Sequence, residues 1–524
     1  MTIPPAPNHP ALPPSPPEAP AHADQQRQVA TRVWPQVIES AQTVLTALML
    51  AFVFRSFFVE AFIIPTGSMA ESLLGQHGVL VCPNCGWEID YGPEAGTAGR
   101  DRAFQPPELL RCPNCHTRLE LRGTRPVVKA GDRILVHKWP YILGGAFEPQ
   151  RWDVIVFRDP SNPAQNYIKR LVALPGEAIE IVDGDVFIKP PGASRFQIAR
   201  KTPAAQSMLW FIVFDQNHLP EDVVSTGRNP VWVRQSPASQ TPAGWSDLDT
   251  RTIRCTAHDD LPRALVFEPG DNRGYLQDVY GYNHGSAGNY VGDARILADL
   301  TVTDGAGTLR WELVRDGRRF AACLGCDGSV SLTLAEPGEQ EVVLASTRIA
   351  ALTDGRPRRF EFAHLDYRVY LKIDGREVLA TTEQQYAPDL ATLRQTWRVA
   401  PLGLRIVARN ISLEMSSLRV DRDVHYAYSR TNTQRAYAGA AFHLHDGEYF
   451  VLGDNSPNSA DSREWQRVGV NLRQAAADGS YQVGTVRADQ IVGQAFFVYL
   501  PGLLPVDQKG DWRIPDLGRV RFVR

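Results

Sequence analysis

An excess of charge of either sign is what this 524-residue chain most plainly lacks: 55 Lys and Arg stand against 58 Asp and Glu, a formal net charge of −3. Without clustered basic surface, a broad nucleic-acid footprint is excluded. Cysteine is scarce and odd in number, seven in all, so the chain is no disulfide-dense scaffold and its cysteines cannot all pair with one another. Helical periodicity is missing from nearly the whole length. What remains is 43% apolar, with 41 Gly and 39 Pro. These features predict a globular, turn-rich, mainly β chain of roughly two to four domains.

Pro4, Pro5, Pro7, Pro10, Pro13, Pro14, Pro16, Pro17 and Pro20 crowd the start, and residues 1–32 read as a disordered tail. An apolar run then extends from Ala41 to Ile64, broken by Arg55 and Glu60. A bilayer core of about 30 Å takes about 20 helical residues, which this run supplies. A buried core helix and a cleaved secretory signal are the alternatives. The long tail before the run, and the lack of a small-x-small cleavage site after it, favour an uncleaved transmembrane anchor over 33–64. Arg27 and Arg32 would hold the N-terminus inside, leaving everything after Ile64 outside the cytoplasm.

Beyond the anchor, alternating stretches such as Asp153–Phe157 and Tyr167–Val172 are punctuated by Gly, Pro and Asn turns and read as strands. Residues 205–430 form a distinct block, with Asp-Gly pairs at 304, 316, 327, 354 and 374 expected to turn between short strands. This predicts an inserted antiparallel β-sandwich with a core of its own. A short linker should then be able to replace it. No Glu-x-Asp-x-x-Glu array is found there to supply glycosidase chemistry.

Two knuckles, Cys82-Pro83-Asn84-Cys85-Gly86 and Cys112-Pro113-Asn114-Cys115-His116, delimit a ribbon over 81–125. Each CxxC lets two thiolates reach one ion, and four thiolates close a tetrahedral structural zinc site with no open position for catalysis. Two disulfides are the alternative that an oxidising compartment would favour. The lone Cys323-Leu324-Gly325-Cys326 pair reads as a hairpin disulfide or two buried thiols, and Cys255 stands alone.

Three further segments bear on chemistry. Pro65-Thr66-Gly67-Ser68-Met69 puts a serine directly after the anchor. On the strand Tyr167–Leu174, alternation puts Tyr167, Lys169, Leu171 and Ala173 on one face. A lysine on such an apolar face has its charged form disfavoured by desolvation, and a neutral amine can act as general base for a serine hydroxyl. Gly453–Arg463 is a turn dense in hydroxyls and amides, with an Asp461–Arg463 pair.

With Gly131–Val136 and Arg151–Glu177, these segments resemble bacterial type I signal peptidases, the Ser/Lys endopeptidases that remove signal peptides. The resemblance covers roughly residues 55–78, 126–190 and 443–500. It implies a mainly β fold: a transmembrane helix, then an antiparallel β catalytic core (65–80, 126–204 and 431–524) interrupted by the zinc ribbon and the sandwich. Ser68 would be the nucleophile and Lys169 its base, with Ser459 orienting the amine. Asp461 and Arg463 would be the supporting pair, and the Thr66 hydroxyl and Ser68 N–H the oxyanion hole. Ile64, Met69, Leu73, Tyr167 and Ile168 would line shallow pockets for small side chains. Glu71-Ser72 stands where the family usually has a Pro-Thr pair, and Ser456-Pro457 where an Arg-Asp pair is common.

The implied setting is the bacterial inner (cytoplasmic) membrane, single-pass, with the catalytic part on the extracytoplasmic side. The implied partners are signal peptides of exported preproteins and membrane lipid, with no catalytic cofactor. The hairpin Tyr367–Gly375 is similar to one in legume-lectin-like sandwiches, which implies a carbohydrate or protein ligand for the block. A catalytically dead scaffold presenting that module is the alternative.

Overall fold

The structure, a computed structural model, describes residues 21–94, 104–123, 126–221, 231–235, 244–268, 276–285, 288–395, 402–427, 435–505 and 513–523. The proline-crowded residues 1–20 lie outside these. The chain divides into two units, one up to Val59 and the other from Glu60 onward.

The first unit is the helix Ala21–Phe57. Its segment Val37–Phe57, 21 residues of mean hydropathy 1.8 with no buried residues, is long and apolar enough to cross a membrane. The helix stops short of the apolar run's end at Ile64, because Val59–Ile63 forms a strand. Val59, Phe62 and Ile63 favour an extended chain, and Pro65 disfavours a helical Ile64 before it.

The second unit is mainly β. An eight-stranded sheet runs in the order Val59–Ile63, Arg133–His137, Ile491–Leu500, Val154–Arg158, Asn166–Ala173, Glu448–Leu452 and Val486–Arg487, with Arg521–Phe522 pairing Ile491–Leu500. Its central strands are largely buried: Val154, Ile155, Val156, Phe157, Leu171, Val172, Val451 and Leu452 are at most 2% exposed. A second sheet of four strands orders Gln197–Ile198, Asp185–Lys189, Ala178–Val182 and Phe442–His443.

A thirteen-stranded antiparallel array occupies residues 211–422. Its spine is Ala294–Arg315 paired with Leu402–Arg422. The first half of Ala294–Arg315 also pairs Arg358–Leu365, and the second half pairs Arg318–Gly325. Asp304-Gly305, expected to turn, lies inside this strand where the register shifts. A β-bulge absorbs the extra residues there and bends the strand without ending it. Asp316-Gly317 and Asp374-Gly375 do turn, with both residues of each at positive φ.

The block buries a large apolar cluster of its own, and the neighbouring four-stranded sheet shares in it. Val182 and Phe187 of the four-stranded sheet belong to the block's apolar cluster with Trp232, Trp245 and Trp311. Conversely, Phe211, Tyr280, Val424 and Tyr426 pack with Trp152, Val172, Ile179 and Leu452. Buried charges join the same parts. Lys201 Nζ lies 2.5 Å from Asp366 and 2.7 Å from Asp423. Arg315 pairs with Asp293 at 2.8 Å and with Asp183 of the four-stranded sheet. This shared packing weighs against replacing residues 205–430 with a linker: removal would strip cover from both cores and orphan buried charges, which is costly.

Candidate active site

Ser68 sits in the loop that follows the edge strand Val59–Ile63, and Lys169 in the middle of Asn166–Ala173. The lysine is paired opposite Ile155 and is 4% exposed. Its Nζ donates to Ser68 Oγ at 2.6 Å and to the Ile168 carbonyl at 3.2 Å. Burial pushes the Lys169 pKa down to about 8, against the upward pull of the Asp461 and Asp454 carboxylates. Among side chains, a lysine so placed can lose its proton near neutrality and take one from a hydroxyl in contact with it.

The turn 453–463 closes one side. Arg463 Nε donates to Asp461 Oδ1 at 2.9 Å and Nη2 to Oδ2 at 2.8 Å, a bidentate pair. Burial works against the Asp461 carboxylate, but Arg463 outweighs it and keeps its pKa below the usual range. Asp461 Oδ2 also accepts from Gly453 N at 3.1 Å. Gly453 packs tightly: a Cβ there would lie 2.2 Å from Ser459 Oγ and 2.4 Å from the Ser68 carbonyl oxygen. So Ser459 does border the serine loop. Its Oγ is nevertheless buried with no hydrogen-bond partner, while Lys169 is oriented by Ser68 and the Ile168 carbonyl. That departs from the expected Ser459–lysine bond. Thr66 is exposed beside the half-buried Ser68.

Of the five expected pocket residues, Ile64, Met69, Leu73 and Ile168 come together in one cluster with Ile134, Val136 and Val154. Met69 and Leu73 are completely buried and here fill core space. Tyr167 belongs to a different cluster, with Ile155, Phe157 and Leu171, because neighbouring strand residues point to opposite faces.

Sequence reading missed three polar residues. Arg170, next to the lysine, is fully buried and grips Asp454 with Nε–Oδ1 at 2.8 Å and Nη2–Oδ2 at 2.7 Å. Asn455 donates from its backbone to the Ser68 carbonyl at 3.1 Å and from Nδ2 to the Gly67 carbonyl at 2.8 Å. In the sequence Arg170 is marked only by its place beside Lys169, between the apolar Ile168 and Leu171.

The cysteine ribbon contributes none of the groups that touch Ser68 or Lys169 above. Gly86 N donates to the Cys82 carbonyl and His116 N to the Cys112 carbonyl, each at 2.9 Å. Gly86 and His116 share left-handed backbone, at φ 70° and 61°, so the two knuckles have one shape. Cys82, Cys85, Cys112 and Cys115 bring their sulfurs within 4.8 Å of one another. The Cys82–Cys115 and Cys85–Cys112 separations are both 3.7 Å. A tetrahedron with metal–sulfur bonds of about 2.3 Å has an edge of about 3.8 Å, whereas a disulfide needs about 2.0 Å. The four thiols thus fit a metal ion. Cys255, Cys323 and Cys326 are free thiols as well, so of the two readings of the 323–326 pair, a hairpin disulfide or two thiols, the structure has the thiols.

The family model described as signal peptidase, peptidase S26, matches residues 116–273 and 371–500, a span that includes Lys169, Ser459, Asp461 and Arg463 and begins after Ser68. The signal peptidase I of Pseudomonas fluorescens is 31% identical over 145 residues, 28% of this chain and 35% of that protein. That of Pseudomonas aeruginosa is 32% identical over the same length and shares. The chain thus spans about a third of the length of these curated relatives. Among solved structures, a carbohydrate-binding module of Bacillus subtilis is similar over 34% of this chain and 92% of its own, at 13% identity and a TM-score of 0.23, too low to carry an argument. The family model covers more than half of the sequence, and the chain belongs to the signal peptidase family, peptidase S26.

Proposed function

We propose that this chain is a membrane-bound serine endopeptidase that cleaves signal peptides from exported preproteins. The observation that carries the reading is the 2.6 Å contact between Ser68 Oγ and a buried Lys169 amine. Lys169 in its neutral form takes the hydroxyl proton as Ser68 Oγ attacks the scissile carbonyl. The proton then passes to the leaving amine, and the acyl-Ser68 ester is hydrolysed by a water that Lys169 activates. The Ser68 N–H and the Thr66 hydroxyl are the donors offered to the developing oxyanion, each worth on the order of a few kcal/mol of barrier. Asp461 and Arg463 keep the turn around Gly453 in place, and Ser459 packs against Gly453 beside the serine loop.

Ala-x-Ala-like substrates, with small residues at the first and third positions before the cut, suit shallow pockets beside Ser68 and Lys169. The Val37–Phe57 helix anchors the enzyme in membrane lipid, with Arg27 and Arg32 on the cytoplasmic side and the β unit on the extracytoplasmic side of a bacterial inner membrane. Cys82, Cys85, Cys112 and Cys115 hold one structural zinc ion, which ties the ribbon together and takes no part in catalysis.

The test is cleavage of a preprotein carrying Ala at both small-residue positions, followed by the N-terminal sequence of the product. A single cut after the second Ala, lost when either Ala becomes Trp, is the expected result. No cut, or cuts elsewhere, would remove the assignment.

A further inference from the structure

The geometry points to residues 278–285, inside the 205–430 block, as the element that positions the Ser68 loop, with Asn283 as a positioning residue acting through Asn455. This inference rests on the serine–lysine reading above.

Asn283 and Asn455 hydrogen-bond each other reciprocally: Asn283 Nδ2 donates to Asn455 Oδ1 at 2.6 Å, and Asn455 Nδ2 donates to Asn283 Oδ1 at 2.9 Å. Asn455, fully buried, uses the same amide to hold the Gly67 carbonyl at 2.8 Å, and its backbone N–H holds the Ser68 carbonyl. The peptide between Gly67 and Ser68 is planar, so the direction of the Gly67 carbonyl fixes the direction of the Ser68 N–H. That N–H is the backbone oxyanion donor. Asn283 therefore sets the donor's aim at one remove, without touching substrate.

The neighbours of Asn283 hold the same loop from other sides. The Tyr282 ring lies against Gly67 so closely that a Cβ on Gly67 would sit 1.8 Å from its Cε1. Its hydroxyl donates to the Gln76 carbonyl at 2.8 Å. Gly281 N donates to Glu71 Oε1 at 2.6 Å, and Tyr280 OH to the Asp454 carbonyl at 3.3 Å. The positions that depart from the resembling pattern face this block too. Ser72 Oγ donates to the Met208 carbonyl at 3.2 Å, and Ser456 Oγ accepts from Ala427 N at 2.8 Å.

The experiment measures kcat and KM of the full-length, detergent-solubilised protein on a preprotein, for the wild type, Asn283→Ala, Asn283→Asp, Asn455→Ala and Asn283→Ala/Asn455→Ala. Removing one oxyanion donor outright costs on the order of 100-fold or more in kcat, so loosening one should cost about tenfold. We expect Asn283→Ala to lower kcat about tenfold with KM nearly unchanged. Asn283→Asp, which still accepts from Asn455 Nδ2, should recover part of it. The double variant should be no slower than Asn455→Ala, because residues acting through one another are not additive. Wild-type kcat in Asn283→Ala, a loss confined to KM, or additive losses in the double variant would overturn the proposal while leaving the dyad standing. A wild type that does not cleave would remove both.

Discussion

Lowering the pH should switch this enzyme off through a single limb that belongs to Lys169. Burial brings its pKa from the ordinary 10.5 down to about 8, and only the neutral amine can accept the Ser68 proton. At pH 7 a base of pKa about 8 is neutral in roughly one molecule in eleven, while an unperturbed lysine would be neutral in roughly one in 3,000, so the shift is worth about 300-fold in active enzyme. The free-enzyme kcat/KM should therefore fall about tenfold per pH unit below about 7 and level off above about 9. Asp461 pulls the lysine pKa upward, so Asp461→Asn should move the limb to lower pH even as it lowers the plateau by leaving Arg463 unpaired. The shift also has a stability sign. Between pH 8 and 10.5 the unfolded chain binds a proton that the folded chain does not, so stability rises with pH across that window, by at most about 3 kcal/mol. The assay is kcat/KM from pH 5 to 10.5 on a substrate with no group titrating in that range. A limb at 10.5, or a flat profile, would show that the amine is solvated and would refute the argument.

Three other outcomes follow from the same structure. Elemental analysis of protein purified without chelator should find one zinc per chain, lost in Cys82→Ser/Cys112→Ser; four thiols blocked as disulfides would contradict it. Arg170→Met should lower stability by about 3–5 kcal/mol in a denaturant melt, because it leaves Asp454 charged and buried, and Arg170→Met/Asp454→Leu should regain much of the loss; an unchanged midpoint in the single variant would contradict it. A protein in which a short linker joins residue 204 to 431 should have no peptidase activity, since Tyr280, Tyr282 and Asn283 go with the block; cleavage at the wild-type rate would restore the view of an independent insert.

What could be read from the sequence was local. Ser68 stands in a short motif, Lys169 is conspicuous on an apolar strand, and the knuckles repeat within 35 residues of each other, so residue type and spacing carried the signal. Arg170 did not stand out, since a charged residue on the opposite face of that strand reads as solvated; it is buried because Asp454, nearly three hundred residues away, meets it there. The Asn283–Asn455 pair spans 172 positions and leaves no periodic trace. The block's shared packing was hidden for the same reason: alternation and turns show that strands form, not that Val182 and Phe187 join their core. The helix end at Phe57 was hidden because the apolar residues continue into a strand.

The central claim is that Ser68 and Lys169 act as one catalytic unit, and the most direct measurement is preprotein cleavage by the wild type beside Ser68→Ala, Lys169→Ala and Lys169→Arg, each shown to be folded and membrane-inserted. All three variants should lose essentially all turnover, because removing either partner of such a unit removes most of the chemistry and a guanidinium stays protonated. Near-normal cleavage by Lys169→Arg or by Ser68→Ala would contradict the account.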